Sequence, residues 1–573
     1  MNQKRAQLTT RSANIHQRGW SWRSRWFDIA VIAAFAVISF VVFWARGGLS
    51  PPVLDLTSDA ANIATMAAAL DFPDNFALDS QFRDFTQGFY IAVHVPATRL
   101  LYRLTQDYGQ AFTLLLLPTL FAYLVAFYVL GISLFGSRWY GLILAMVNML
   151  LVKGPRDTAW GPFKDALPRF DHAVLFAVVL AILWRWRNNP WSWPVVFFLA
   201  GLGLYVHPVS TPALGLMLAG ACIGLAVYQG SIGKQVLPTL VGLIAFCAPV
   251  LTYGLAFTRD QISFEDISSV SSEEAREIAN IIETRMTGHY LSPSRTVLEY
   301  FSRKHMLCGI LPCLAAGILV LHLWRDERTW AITGMCVGLI FGLIVATVVI
   351  PVMFEVLTPP WKAMAFKGEL PRPLRYIVPI TYVVALGAFV TAWRRLSSWS
   401  RHILIGLLGI IGAFWIAALA PRAIRALDNV TGQATQKKSQ VVELINAIRH
   451  NCGPQQRICA VIEDPLIIRY GAIRSLAFAP KDQPNQSSLI EARRWLDDVT
   501  KFNKIKRAQD YSSRVKEAMR WAQEKGAEYV ILENDASMKT VSGSESKGWG
   551  KILFQNSRFV LIKVRHDLPH SVQ

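Results

Sequence analysis

Apolar runs of spanning length recur along the chain at 28–45, 111–135, 139–153, 170–186, 194–209, 211–229, 235–257, 306–324, 330–352, 375–393 and 402–420. A helix of about 20 predominantly apolar residues crosses the ~30 Å hydrocarbon core of a bilayer, so the pattern predicts a polytopic membrane protein of about eleven spans. The stretch 89–104 is also apolar, but His94, Pro96, Arg99 and Arg103 interrupt it, which predicts a helix lying in the membrane interface. Beyond residue 420 the pattern changes to that of a soluble α/β domain. Ile458 to Ile462 reads as a buried strand, Ser512 to Lys525 as an amphipathic helix closed by Gly526, and Tyr529 to Leu532 as the next strand. Ile552 to Val564 reads as a hairpin turning at Asn556 and Ser557. The expected organisation is a basic arm at 1–27, a membrane domain at 28–420 and an α/β domain at 421–573.

Composition agrees with the membrane class: 53% of the residues are hydrophobic and 19 are Trp, too apolar a balance for a soluble chain of 573 residues. The net charge of +19 does not point to nucleic acid, because the basic residues are scattered through short loops rather than gathered on one domain. Anionic lipid headgroups account for them better. The arm before the first run carries Lys4, Arg5, Arg11, Arg18, Arg23 and Arg25, and no small-residue cleavage site ends that run, so it reads as a retained anchor with a cytoplasmic N-terminus.

With that orientation, Arg138, Arg185, Arg187, Lys234, Arg325, Arg328, Arg394, Arg395 and Arg401 all fall inside. The loops 46–110 and 258–305 and the 421–573 domain then face outward. Two outward loops, 153–169 and 362–375, break the charge rule with an excess of cations, as sites for a bound anion would. There is no glycine-rich phosphate loop and no internal repeat.

Candidate chemistry sits in these outer segments. Asp55 and Asp59 are four residues apart, so a short helix beginning near Ser58 is expected to place both carboxylates on one face, as candidate catalytic bases. Downstream, Asp71, Asp74, Asp79 and Asp84 interleave with Phe72, Phe76, Phe82 and Phe85, a mixture suited to a loop dipping into headgroups. Arg156, Lys164 and Arg169 on one loop, and Lys367, Arg372 and Arg375 on another, are candidate phosphate ligands, with headgroup snorkelling as the bland alternative. His207 and His289 are candidate contacts to a phosphate or an acceptor hydroxyl, with a structural helix terminus as the alternative. Cys452 and Cys459 flank a Gly-Pro turn in a polar region and would pair in an oxidising compartment. No His or Cys near them completes a metal-ligand set, and any metal ligand elsewhere is unknown.

An inside N-terminus, a first outer loop holding Asp55 and Asp59 beside interfacial helices, about eleven spans and a soluble C-terminal domain together resemble the GT-C superfamily of polytopic glycosyltransferases. Tyr205 to Pro208, Arg285 through His289 and Tyr290 to Pro293, and Arg474 to Pro484 followed by Ala492 to Trp495 are similar to segments of bacterial multipass proteins of this type. The resemblance implies a bacterial inner-membrane enzyme that moves a hexosyl or pentosyl group from a polyprenyl-phosphate donor to a periplasmic lipid, glycan or protein acceptor. The first-loop acid, Asp59 or Asp55, would be catalytic base or metal ligand, so a divalent cation is admitted but not required, and no nucleotide is needed. Here the two acids are separated by three residues instead of adjacent, a departure from the commonest pattern of the superfamily. The rival readings are a transporter or flippase of lipid-linked glycans and a non-catalytic envelope assembly protein. Charges concentrated in loops and at helix ends, away from the membrane midplane, favour the enzyme over the transporter.

Overall fold

A computed structural model describes residues 22–56, 58–82, 92–152, 158–161, 165–261, 271–285, 292–324, 327–357, 370–395, 397, 433–480, 482, 489–508, 510–534 and 550–565. In chain order its helices are α1 (Trp22–Ala45), α2 (Ser58–Asp71), α3 (His94–Thr105), α4 (Tyr108–Leu114), α5 (Leu116–Phe135), α6 (Arg138–Asn148), α7 (Pro168–Arg185), α8 (Trp193–Gly201), α9 (Thr211–Gln229), α10 (Ile232–Gln261), α11 (Ser272–Arg285), α12 (Pro293–Ser302), α13 (Leu311–Leu323), α14 (Glu327–Ile344), α15 (Ile350–Leu357), α16 (Ile377–Arg395), α17 (Gln433–Asn451), α18 (Leu489–Arg507) and α19 (Tyr511–Glu524).

Among the described residues, seven helical stretches are long and apolar enough to cross a membrane: Arg25–Ala45, Tyr108–Phe135, Thr211–Gln229, Ile232–Leu255, Met306–Leu323, Glu327–Leu357 and Arg372–Arg395. They coincide with seven of the eleven expected runs. Of the others, 402–420 lies outside the described residues, and three form helices that fall short for separate reasons. The expected run 139–153 becomes α6, whose 11 residues rise only about 16 Å. The run 170–186 becomes α7, whose 18 residues include Arg169, Asp171 and Arg185. The run 194–209 ends early, in the shorter apolar helix Pro190–Tyr205, and so leaves 206–210 as a link outside the spans.

Close backbone approach holds the bundle at one seam. A Cβ added to Gly220 would sit 2.1 Å from the Gly338 carbonyl oxygen, and one added to Gly224 would sit 2.0 Å from that of Gly334. Only hydrogen side chains let α9 and α14 meet this closely, the small-residue packing that lets helices associate within lipid. The first turn of α9, which carries Thr211, is thereby fixed. Exposed apolar side chains such as Leu237, Leu240, Ile244 and Leu251 line the outer face of α10, as expected for a lipid-facing surface.

The C-terminal region holds a five-stranded sheet in the order β2-β1-β3-β5-β4. The strands are β1 (Ile458–Val461), β2 (Leu476–Phe478), β3 (Tyr529–Glu533), β4 (Gly550–Gln555) and β5 (Phe559–Val564). Strand β1 is parallel to β2 and β3, and β5 is antiparallel to β3 and β4. The expected strands, helix and hairpin fall on β1, β3, α19 and β4–β5, and Gly526 closes α19 with φ 61°. Strand β2 was not foreseen, because its three residues give no period to read. Alternation along β1 sends Ile458 and Ala460 into a core continuous with the helical bundle and Cys459 and Val461 into a second core on the other face. That second core takes in Trp521 of α19, Ala492 of α18, and Ile278 and Ile281 of α11.

The same alternation corrects the expected disulfide. Cys452 packs in the core shared with the bundle and Cys459 in the second core, so the sheet lies between them, and both are buried free thiols. Burial raises both, Cys452 to about 12.

Candidate functional site

The loop after the first span, expected to dip into headgroups, packs into the protein where it is described. Phe76, Asp79 and Phe82 are buried, and the loop is fastened to the C-terminal domain. Arg469, itself 0% exposed, is held from both sides by carboxylates. Its Nη2 and Nε donate to Asp79 at 2.8 and 3.0 Å, and its Nη1 donates to Asp482 at 2.6 Å. The amides of Gln81 and Leu476 donate to Asp79, and Ser80 Oγ donates to Asp482 at 2.5 Å. Burial raises the Asp79 carboxyl against the opposing pull of Arg469. Backbone bonds continue the seam: Ser80 N donates to Leu476 O at 3.0 Å, and Arg457 Nε donates to Leu78 O at 2.6 Å. The loop and the sheet therefore lie on the same side of the bundle. Asp84 and Phe85 lie outside the described residues.

Helix α2 begins at Ser58 as expected, but Asp55 precedes it in extended chain, so the two acids do not share a helical face. Asp55 is exposed (66%) and meets Arg46 at 3.1 Å. Arg46 also grips the buried Asp165 at 2.6 Å. Burial works against the Arg46 charge, but Asp165 and Asp55 outweigh it and raise its pKa. Asp59, in the first turn of α2 and 41% exposed, faces Arg169 Nη2 at 3.6 Å.

The first turn of α7 is the hub of this region. Pro168 begins the helix, where its missing N–H costs nothing and its φ suits the turn. From that turn three side chains reach four different elements. Arg169 reaches Asp59 on α2. Asp171 receives His94 Nε2 of α3 at 2.6 Å. His172 bonds Tyr376 Oη at 2.5 Å and Thr211 Oγ1 at 3.1 Å.

Arg169 and Arg375 line one narrow crevice together with Tyr123, Trp160, Gly161, Phe170 and Ala173. Arg375, 1% exposed, sits in the 3-10 turn Arg372–Tyr376 and donates to Ser210 Oγ at 2.7 Å. His207, in the link that carries Ser210, is buried. Burial, followed by the charges of Arg375, Arg372 and Arg169, pushes its imidazole well below the usual histidine range. Its Nδ1 accepts from Ser210 N–H at 3.2 Å, which places the remaining ring proton on Nε2. His207 is thus a neutral donor within the field of three guanidinium groups.

Of the residues singled out in the sequence, Arg169 and Arg375 line the crevice, Asp59 faces Arg169, and His207 lies in the link whose Ser210 accepts from Arg375, within the field of Arg372. Asp55 lies at the margin, paired with Arg46. Arg156, Lys164, His289 and Lys367 lie outside the described residues. Sequence reading missed Arg46, Asp165, His94, Asp171, His172, Ser210 and Tyr376. Asp165, like Trp160, falls within the cation-rich loop 153–169, the one signal that pointed its way. Among the described residues, no group of three or more His, Cys, Asp or Glu side chains is arranged to hold a metal ion. Neither a protein-family model nor a curated protein matches this chain.

Proposed function

We propose that this multi-pass membrane protein is a glycosyltransferase of the GT-C kind, moving a sugar from a polyprenyl-phosphate donor to an acceptor hydroxyl on the outer face of a bacterial inner membrane. One observation carries the reading. Arg169 and Arg375, far apart in sequence, line one crevice, and Asp59 from the first loop faces Arg169 at 3.6 Å. An acceptor proton goes to the Asp59 carboxylate as the acceptor oxygen forms its bond to the anomeric carbon. The bond from that carbon to the phosphate oxygen breaks, and its electron pair leaves on the lipid phosphate. Arg169, Arg375 and the neighbouring Arg372 receive that charge in a site largely shielded from water, where fixed cations act most strongly. Trp160, Tyr123 and Phe170 pack behind the two arginines as an aromatic, water-excluding wall.

The test is turnover of radiolabelled polyprenyl-phosphate sugars by the full chain in nanodiscs. Asp59→Asn should lower transfer by about a hundredfold or more while leaving donor binding in place. Equal turnover by variant and wild type would remove Asp59 from the role of base. Donor crossing the bilayer without sugar transfer would make the protein a transporter.

A further inference from the structure

Both crevice arginines, and the Ser210 hydroxyl to which Arg375 donates, lie within one helical turn of chain of a second, fully buried contact. Arg169 is one helical turn before His172 on α7, Arg375 is adjacent to Tyr376, and Ser210 is adjacent to Thr211. The three companions, His172, Tyr376 and Thr211, bond one another through the His172 ring. His172, Thr211 and Tyr376 are all 0% exposed. Thr211 Oγ1 spends its own hydrogen on the His207 carbonyl at 3.0 Å, so it accepts from His172 Nε2–H. His172 Nδ1 is then the acceptor for the Tyr376 hydroxyl, and both ring nitrogens are satisfied in one neutral tautomer. Arg375, next to Tyr376 in the chain, donates in turn to Ser210 Oγ, next to Thr211.

We propose that His172 is a positioning residue, a cross-tie that sets the separation of Arg169 and Arg375 and so the affinity of the crevice for a phosphate group. This inference rests on the anion-binding reading above and goes beyond it by naming what holds the two guanidinium groups in register. Three elements meet beside the crevice, namely the starts of α7 and α9 and the turn before α16, and the imidazole, carried by the first, is hydrogen-bonded to the other two at once. Two arginines repel each other and will spread unless something fixed opposes them. A planar ring bonded on both edges is a rigid spacer of that kind, and its benefit to a ligand is preorganisation.

The probe is farnesyl phosphate, a short polyprenyl monophosphate, bound to the full chain in nanodiscs and compared with farnesol to isolate the phosphate contribution. Tyr376→Phe and Thr211→Val each remove one bond of the tie with little change in volume. Each should weaken the phosphate-specific part of binding by about three- to tenfold, the worth of one hydrogen bond. In an Arg375→Gln background the further loss from Tyr376→Phe should disappear, because the tie acts through that arginine. Thr211→Val, at the other end of the ring, carries the test if Tyr376→Phe fails to fold. A lowered melting midpoint with phosphate affinity unchanged would make the tie a stabilising contact only and overturn the inference. So would a Tyr376→Phe loss that persists at full size without Arg375. Wild type that binds farnesyl phosphate no better than farnesol would instead overturn the anion site itself, and the cross-tie with it.

Discussion

Arg469 and Arg375 are both almost wholly removed from solvent, yet they are surrounded in opposite ways. Arg469 is gripped by two carboxylates, Asp79 and Asp482, and the amides of Gln81 and Leu476 take up the remaining acceptor capacity of Asp79. Arg375 donates to a hydroxyl and shares its crevice with a second guanidinium, Arg169. A buried cation matched by anions is a fastener: its charge is used up where it stands. Arg169 faces a carboxylate, the part-exposed Asp59, at 3.6 Å, and setting a second guanidinium on the same crevice raises the energy of the empty site. The contrast separates two roles that the sequence presents with the same residue type.

The largest effect should come from breaking the fastener. Arg469→Met leaves two carboxylates buried without their partner, a loss of the order of 3–5 kcal/mol. Thermal unfolding in detergent should shift strongly downward, and limited proteolysis should open the first loop. Arg469→Lys should rescue little, because an ammonium cannot fork to both carboxylates. A variant with native melting would mean that the loop and the sheet are held together elsewhere, and Arg469 would cease to be the reference for the comparison.

Arg375→Gln should show the opposite balance. Its main loss should be in farnesyl phosphate binding, about ten- to a hundredfold for one charge-assisted contact. Its melting midpoint should fall much less than that of Arg469→Met. If Arg375→Gln unfolds the protein as Arg469→Met does, both arginines are fasteners and the crevice loses its claim to be a receptor.

The sequence revealed these two regions unequally, and the reason is range. Helices and short strands announce themselves through local periodicity, which is why α19, β3, the β4–β5 hairpin and seven spans were legible. Loops with cations where the charge rule forbids them drew attention to Arg169, Arg372 and Arg375 before their geometry was known. Nothing local marks Arg469, whose partner Asp79 is 390 residues away. His172 was equally silent. It stands within an apolar run at a helix start, and only the packing of α7 against the starts of α9 and α16 gives it two partners. The paired acids misled in a definite way, since a four-residue spacing places two carboxylates on one face only when both lie inside the helix, and α2 begins after Asp55.

The smallest effect tests the field of the crevice through a group that does no binding in the wild-type comparison. Burial and the three arginines push His207 below its ordinary value, whereas in the unfolded chain it titrates near 6.5. As pH falls through that unfolded value, the unfolded state takes up a proton that the folded state still refuses, so stability is lost on the acid side and regained towards neutrality. His207→Gln removes this contribution while keeping a side chain that can donate. The melting midpoint of wild type should therefore drop more steeply than that of His207→Gln between about pH 7 and pH 5. Parallel slopes would mean that protonating His207 costs the folded protein nothing, against both its burial and the charges of Arg375, Arg372 and Arg169. The contrast between a spent cation and a gathered cluster would then lose its electrostatic basis.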